Sequence, residues 1–322
     1  MLRLPILISA ILLASLVAQA QNKSRPEPIP ARKQFGFVLN AAPLKPHAIG
    51  FYTKGCLAGG VQLPVDGPAW QAMRLSRNRN WGHPTLVRYV KRLAKDAQKL
   101  DGWPGLLVGD LAQPRGGPML SGHRSHQVGL DADIWLTPMP KRRLSYNERE
   151  QIAATSMLAS KTTLNHWVWS KAHVRLLKRA VSYSEVERIF VHPAIKKGLC
   201  DAAGDDKKWL AKIRPYWGHY YHFHVRIRCP AGSKDCRPQA PAPRSHKCGK
   251  ELKNWIALLN RPTAPPKPRT KKRKPRPPLT LAGLPKGCTR VLAVDRPPLL
   301  AATAPIQEIV LPRRRPRRSA QR

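Results

Sequence analysis

Apolar residues recur along this chain at two spacings, and each spacing predicts a different kind of element. From Pro84 onward, Leu86, Val90, Leu93, Ala97 and Leu100 return every three or four residues, so one face of a helix is apolar. Proline opens it at the position where a missing N–H costs nothing. Leu106, Leu107 and Val108 form a short apolar run between Gly105 and Gly109, which predicts a buried strand. Ser145 with Glu148 makes a capping box, and predicts a helix through about Leu158. Ser170 caps another, with Val174, Leu177 and Val181 on its inner face. Arg188 to His192 reads as a strand, and Tyr220 to Ile227 as a stronger one. On the latter, His222, His224 and Arg226 share one face while Phe223, Val225 and Ile227 share the other. Strands and helices do not alternate strictly, and the helices are too few to cover both faces of a doubly wound sheet. The expected class is α+β, a mostly antiparallel sheet with flanking helices in a single domain.

The two ends read differently from this body. Arg3, the apolar run Ile6 to Val17 and the small-x-small site Ala18-Gln19-Ala20 make residues 1–20 a cleavable export signal, too short to span a membrane. Residues 21–34 are polar and proline-bearing, a loose lead-in to a domain taken as 21–262. Residues 263–322 are a basic Pro/Arg-rich extension, with seven positive residues from Lys267 to Arg276 and six from Arg313 to Arg322. Cys288 lies between those runs and offers a tether back to the body. The expected location is the periplasm.

Charge narrows the partners. The net charge is +40, of which residues 263–322 supply +14 from 16 Lys and Arg against 2 acidic residues. A surface so basic seeks a polyanion by long-range attraction. Nucleic acid is the usual partner of such a chain, but an exported protein meets anionic cell wall and membrane headgroups first. The six cysteines, Cys56, Cys200, Cys229, Cys236, Cys248 and Cys288, contain no Cys-x-x-Cys pair. In an exported chain they predict disulfides rather than a zinc ribbon, and spacing alone does not choose among the possible pairings.

The candidate chemistry lies in two clusters that hold five of the 11 histidines. The first is Ser121-Gly-His123-Arg-Ser-His126-Gln-Val-Gly-Leu-Asp131-Ala-Asp133-Ile-Trp135. If Leu130 to Trp135 is a strand, Asp131 and Asp133 point the same way and His126 sits on the preceding turn. The second is Trp217-Gly-His219-Tyr-Tyr-His222-Phe-His224. Taken singly, these are also what a polar surface loop and an exposed strand face look like. Together they describe an open zinc site, with His126, Asp133 and His224 as ligands and His222 beside them as ligand or base. A catalytic zinc takes three protein ligands and keeps a fourth position for water. His-Glu-x-x-His and Gly-x-Ser-x-Gly are absent, as is Ser-x-x-Lys beyond the leader, which removes the thermolysin-type helix and the acylated-serine mechanisms. Trp81, Trp135, Trp167, Trp169 and Trp217 are candidates for core or groove, and Arg74, Arg77 and Arg79 for carboxylate binding.

The His-x6-Asp of His126 to Asp133 and the His-x-His of His222 to His224 resemble the zinc peptidases grouped with lysostaphin, D-Ala-D-Ala metallopeptidases and sonic hedgehog. The likeness is closer to the penicillin-insensitive murein endopeptidase family. It is carried by Met73-Arg-Leu-Ser-Arg-Asn-Arg-Asn-Trp-Gly-His83, Ser125-His-Gln-Val-Gly-Leu-Asp-Ala-Asp133, His192-Pro-Ala-Ile-Lys-Lys197 and His224-Val-Arg-Ile-Arg-Cys-Pro230, and runs from about Phe51 to Trp255. The resemblance implies a zinc-dependent D,D-endopeptidase that cuts D-alanyl–meso-diaminopimelate cross-links of peptidoglycan. It implies zinc on His126, Asp133 and His224, His222 and His219 in catalysis, and His123 as a further ligand or support. It also implies the pairs Cys56–Cys288, Cys200–Cys248 and Cys229–Cys236. The stretch 158–166 does not clearly reproduce a second zinc site associated with the family, His166 being the nearest candidate. A carboxypeptidase of the same fold and a non-catalytic zinc-bearing wall-binding module are the alternatives.

Overall fold

The computed structural model describes residues 27–262 and 277–294; the leader and both arginine-rich runs lie outside them. In chain order the elements are α1 (Ala31–Gly36), β1 (His47–Phe51), β2 (Lys54–Ala58), β3 (Val61–Gln62), β4 (Asp66–Gly67), β5 (Trp70–Ala72), β6 (Trp81–Gly82), α2 (Pro84–Asp101) and β7 (Leu106–Val108). Then follow β8 (Asp131–Trp135), α3 (Tyr146–Gln151), α4 (Lys171–Ser182), β9 (Val186–Val191), α5 (Pro193–Ala202), β10 (Ile213–Pro215), β11 (His222–Ile227), α6 (Lys250–Asn260) and α7 (Gly287–Ala293). Seven strands form the main sheet in the order β10-β9-β11-β8-β7-β5-β4. Only β10–β9 and β5–β7 pair in parallel, so the fold is α+β with a mostly antiparallel sheet.

The two faces of this sheet do different work because side chains alternate across a strand. Phe223, Val225 and Ile227 of β11 and Ala132 and Ile134 of β8 join one core with Leu86, Val90, Leu93 and Ala97 of α2 and Leu176, Leu177 and Ala180 of α4. The remaining side chains of β8 and β11, three from each, lie on the other face. There the antiparallel register sets His224 opposite Asp133, Arg226 opposite Asp131 and His222 opposite Trp135. All of β11 is buried.

Two expectations change on the structure. The capping box at Ser145 and Glu148 forms, but its helix stops at Gln151 instead of about Leu158. The guanidinium of Arg74 donates to the carbonyls of Arg149, Glu150 and Ile152, satisfying the helix end and turning the chain away. The lead-in is not loose throughout, since α1 buries Ala31 and Phe35. The segment 277–294 packs against the body. Its Leu284, Val291 and Leu292 join Phe35 and Ile49 in a second small core around the Cys56–Cys288 disulfide. Cys200–Cys248 and Cys229–Cys236 are the other two bridges.

Candidate metal centre

One carboxylate organises the polar face. Asp133 Oδ1 lies 3.0 Å from His224 Nδ1, 3.5 Å from His126 Nε2 and 3.7 Å from His222 Nε2, and Oδ2 lies 3.4 Å from His123 Nδ1. Ligand atoms of His123, His126 and Asp133 all fall within 4.8 Å of one another. Strand pairing delivers Asp133, His222 and His224. A loop delivers His123 and His126, the latter on left-handed backbone at φ 68°. A histidine there is strained, and the amide of His126 is anchored by Asp131 Oδ2 at 3.0 Å.

The chemistry of these atoms fits a cation. His126 is fully buried, and among the described residues neither of its ring nitrogens has a hydrogen-bond partner. Asp133 Oδ1 and His222 Nδ1 are likewise buried without one. Each such group costs about 1–3 kcal/mol when left unpaired. Two of these four atoms, His126 Nε2 and Asp133 Oδ1, form one of the cluster's close contacts, and one bound ion would satisfy both. The donors are imidazoles and a carboxylate, as zinc prefers.

Behind this cluster stands a second layer. Arg226 holds Asp131 by two hydrogen bonds, Nε to Oδ1 at 2.8 Å and Nη2 to Oδ2 at 3.1 Å. Burial alone would raise the Asp131 carboxyl, but Arg226 and His224 outweigh it and hold the group well below the carboxylate range. His224 Nε2 sits 3.1 Å from Asp131 Oδ1, close enough for an ion pair though not aligned for a hydrogen bond. Burial pushes His224 down, yet the two aspartates win and raise it. Asp110, two residues beyond β7, supports His123: its Oδ2 is 3.0 Å from His123 Nε2, 2.9 Å from Arg79 and 3.1 Å from Arg77. Burial raises Asp110, and His123 with the two arginines more than reverses that, to about 2. Nothing in the sequence pattern singles out Asp110; a lone acid after a short apolar run carries no spacing signal.

His219 is on a loop with left-handed backbone, φ 54°, and its ring centre lies 4.9 Å from that of His222. Its Nδ1 is 2.7 Å from the Trp217 carbonyl. A carbonyl only accepts, so Nδ1 carries the proton and the neutral ring keeps its lone pair on Nε2. Burial, then His222 and His224, push His219 down to about 3. Burial also lowers His222.

Space lies on both sides of the cluster. A cavity of about 300 Å³ includes Trp135, Tyr221, His222 and Arg77 in its walls, and one of about 470 Å³ includes Phe190, Tyr216, His219 and His224; His123 belongs to both. A larger cavity, about 900 Å³, lies against the Cys229–Cys236 disulfide and contains none of these histidines. The structure thus gathers His123, His126, Asp133, His219, His222 and His224 at one place. His166 lines a separate cavity with Trp169 and Lys197. Of the tryptophans, Trp135 is buried in the cleft wall, whereas Trp167 is almost fully exposed.

Residues 48–293 match the family model described as penicillin-insensitive murein endopeptidase. Curated relatives of that name are similar over most of the chain. The protein of Haemophilus influenzae is 44% identical over 234 residues, covering 72% of this chain and 78% of its own. That of Klebsiella pneumoniae is 42% identical over 224 residues, 69% and 78% respectively. That of Yersinia enterocolitica is 42% identical over 222 residues, 69% and 80%.

Proposed function

The chain belongs to the penicillin-insensitive murein endopeptidase family, and from that premise we propose an exported zinc-dependent D,D-endopeptidase that hydrolyses D-alanyl–meso-diaminopimelate cross-links in peptidoglycan. The observation that carries the metal is the set of buried, unpartnered donor atoms converging on Asp133. His126, Asp133 and His224 would hold the ion, with His123 as a further donor. When bound, zinc supplies Lewis acidity, polarising a carbonyl and lowering the pKa of water.

The chain's own residues do the rest. A neutral His222 can take a proton from the attacking water at a ring nitrogen and return it to the departing amine. His219, fixed by the Trp217 carbonyl, presents Nε2 to the same space. Asp131 and Asp110 orient the histidines from behind. Cavities on both sides leave room for a peptide to pass through, which favours endopeptidase action over a carboxypeptidase with one closed end. Residues 1–20 would direct export to the periplasm, and the basic extension would hold the enzyme on anionic wall or membrane.

The test is digestion of cross-linked muropeptide dimers by the purified protein, with and without a zinc chelator, beside His126→Ala. Monomer release that chelation and the substitution both abolish is the expected result. Intact dimers from folded, zinc-loaded protein would overturn the reading and move the weight to a carboxypeptidase or a wall-binding module.

A further inference from the structure

Arg74, Arg77 and Arg79 come from one short segment beside the cleft, and the fold uses them unequally. Arg74 is spent on backbone carbonyls, at 2.8 Å to Arg149 and 2.7 Å to Ile152. Arg79 is buried, donating to Asp110 and, at 3.0 Å, to the Ser121 carbonyl. Arg77 differs. Its side chain is 45% exposed, and among the described residues its one hydrogen bond runs from Nη1 to Asp110 Oδ2. Nε and Nη2 have no hydrogen-bond partner among the described residues, and the side chain lines the same cavity as His123, Asp133 and His222.

The backbone holds Arg77 in that place at some cost. It ends a single 3₁₀ turn, Leu75–Arg77, flanked by two non-glycine residues in left-handed conformation, Arg74 at φ 57° and Asn78 at φ 48°. Such strain persists only where the surroundings enforce it, and it concentrates at functional sites. The enforcement is visible: Ser76 donates to the Glu150 carboxylate from its amide at 3.0 Å and its hydroxyl at 2.7 Å. Two guanidinium groups, moreover, share the one carboxylate of Asp110. Asp110 is therefore not Arg77's alone, and the guanidinium keeps a planar fork suited to a carboxylate facing the cavity.

Resting on the endopeptidase reading above, we propose that Arg77 is the specificity residue that receives the free carboxylate next to the scissile amide. In the cross-link, the diaminopimelate carbon that bears the amide nitrogen also bears a free carboxylate. That group travels with the scissile bond, so its receptor must stand beside the catalytic histidines, as Arg77 does. The receptor selects cross-links by charge: a carboxamide at that carbon offers the fork no anion.

The test compares cross-linked dimers carrying carboxylate or carboxamide at that carbon, cut by the zinc-loaded full chain. Wild type should favour the carboxylate by about 10- to 100-fold in kcat/KM, the range for a charged hydrogen bond. Arg77→Gln should bring the carboxylate form down to the carboxamide rate and leave the latter within about threefold of wild type. Arg77→Lys, which keeps the charge but not the fork, should retain part of the preference. Binding of the two uncut dimers in a His222→Ala background should show the same preference, and Arg77→Gln should remove it. Equal slowing of both dimers by Arg77→Gln would make Arg77 a general support of the site and overturn the proposal, as would a wild type that does not discriminate. A wild type that cuts neither dimer overturns the endopeptidase reading and this inference with it.

Discussion

Asp131 and Arg226 face each other across β8 and β11 in a buried two-bond ion pair, and that pair carries the back wall of the histidine cluster. Arg226 also lies over the Tyr52 ring, 4.0 Å from its centre. Asp131 in turn holds the His126 amide and stands beside His224. Two candidate ligands thus depend on one carboxylate that is not itself in the cluster.

Asp131→Asn should therefore weaken zinc binding without removing a ligand. Loss of a supporting carboxylate behind a histidine ligand costs about 10- to 100-fold in affinity. Competition with a chromophoric chelator measures it. Affinity equal to wild type would show that strand pairing alone orients His224. Arg226→Met should do worse, since it strips both guanidinium hydrogen bonds from a buried carboxylate, at about 3–5 kcal/mol of stability.

Zinc itself should stabilise the fold. A ligand that binds only the native state adds about 4 kcal/mol at a thousandfold excess over Kd. Thermal unfolding with added zinc and with chelator should separate clearly for wild type and converge for His126→Ala. A His126→Ala protein that still gains stability from zinc would place the ion elsewhere.

Much of this arrangement is readable from the chain, and the unread part has a common cause. The alternation in His222–Ile227 states which side chains share a face, because a strand repeats every two residues. The capping box at Ser145 and Glu148 is equally local. What stops that helix is Arg74, more than 70 residues earlier, and nothing near Gln151 announces it. Asp110 and the different fates of Arg74, Arg77 and Arg79 arise from such distant partners as well. The left-handed backbone at His126 and His219 has no sequence mark, since non-glycine residues adopt it rarely and histidine's enrichment there is too small to single out two of 11. The helix Ala31–Gly36 is too short to show periodicity and is secured by residues 277–294, with the Ala31 amide 2.8 Å from the Leu279 carbonyl.

Cys288→Ser should loosen that docking. The Cys56–Cys288 bridge spans 232 residues, and closing so long a loop stabilises by about 5 kcal/mol in the chain-entropy account. The melting temperature should fall clearly, while turnover at low temperature persists because Cys288 lies in the second core, apart from the cluster. An unchanged melting temperature would show that Val291, Leu292 and the Arg115 contacts to their carbonyls suffice.

Stability should also fall with acid, through two histidines outside the cluster. His83 and His192 each precede a proline and cap a helix, the ring Nδ1 accepting from the amides of Thr85 and Ala194 at 3.2 Å. That bond needs the neutral ring. Burial, with Arg88 and His47 adding to it, pushes His83 down to about 4, and burial does the same to His192. Unfolded, both return to about 6.5. Between those values the unfolded chain binds more protons, so the contribution is complete above pH 6.5 and is lost as pH falls toward 4. Each group stands to contribute on the order of 3 kcal/mol. Urea unfolding of the oxidised protein from pH 7 to pH 4 measures this against His83→Asn and His192→Asn, which keep a capping oxygen that does not titrate. The variants should lose less stability over that interval than wild type. Parallel profiles would mean that the caps accept protons without cost, and the acid sensitivity would then belong to other groups.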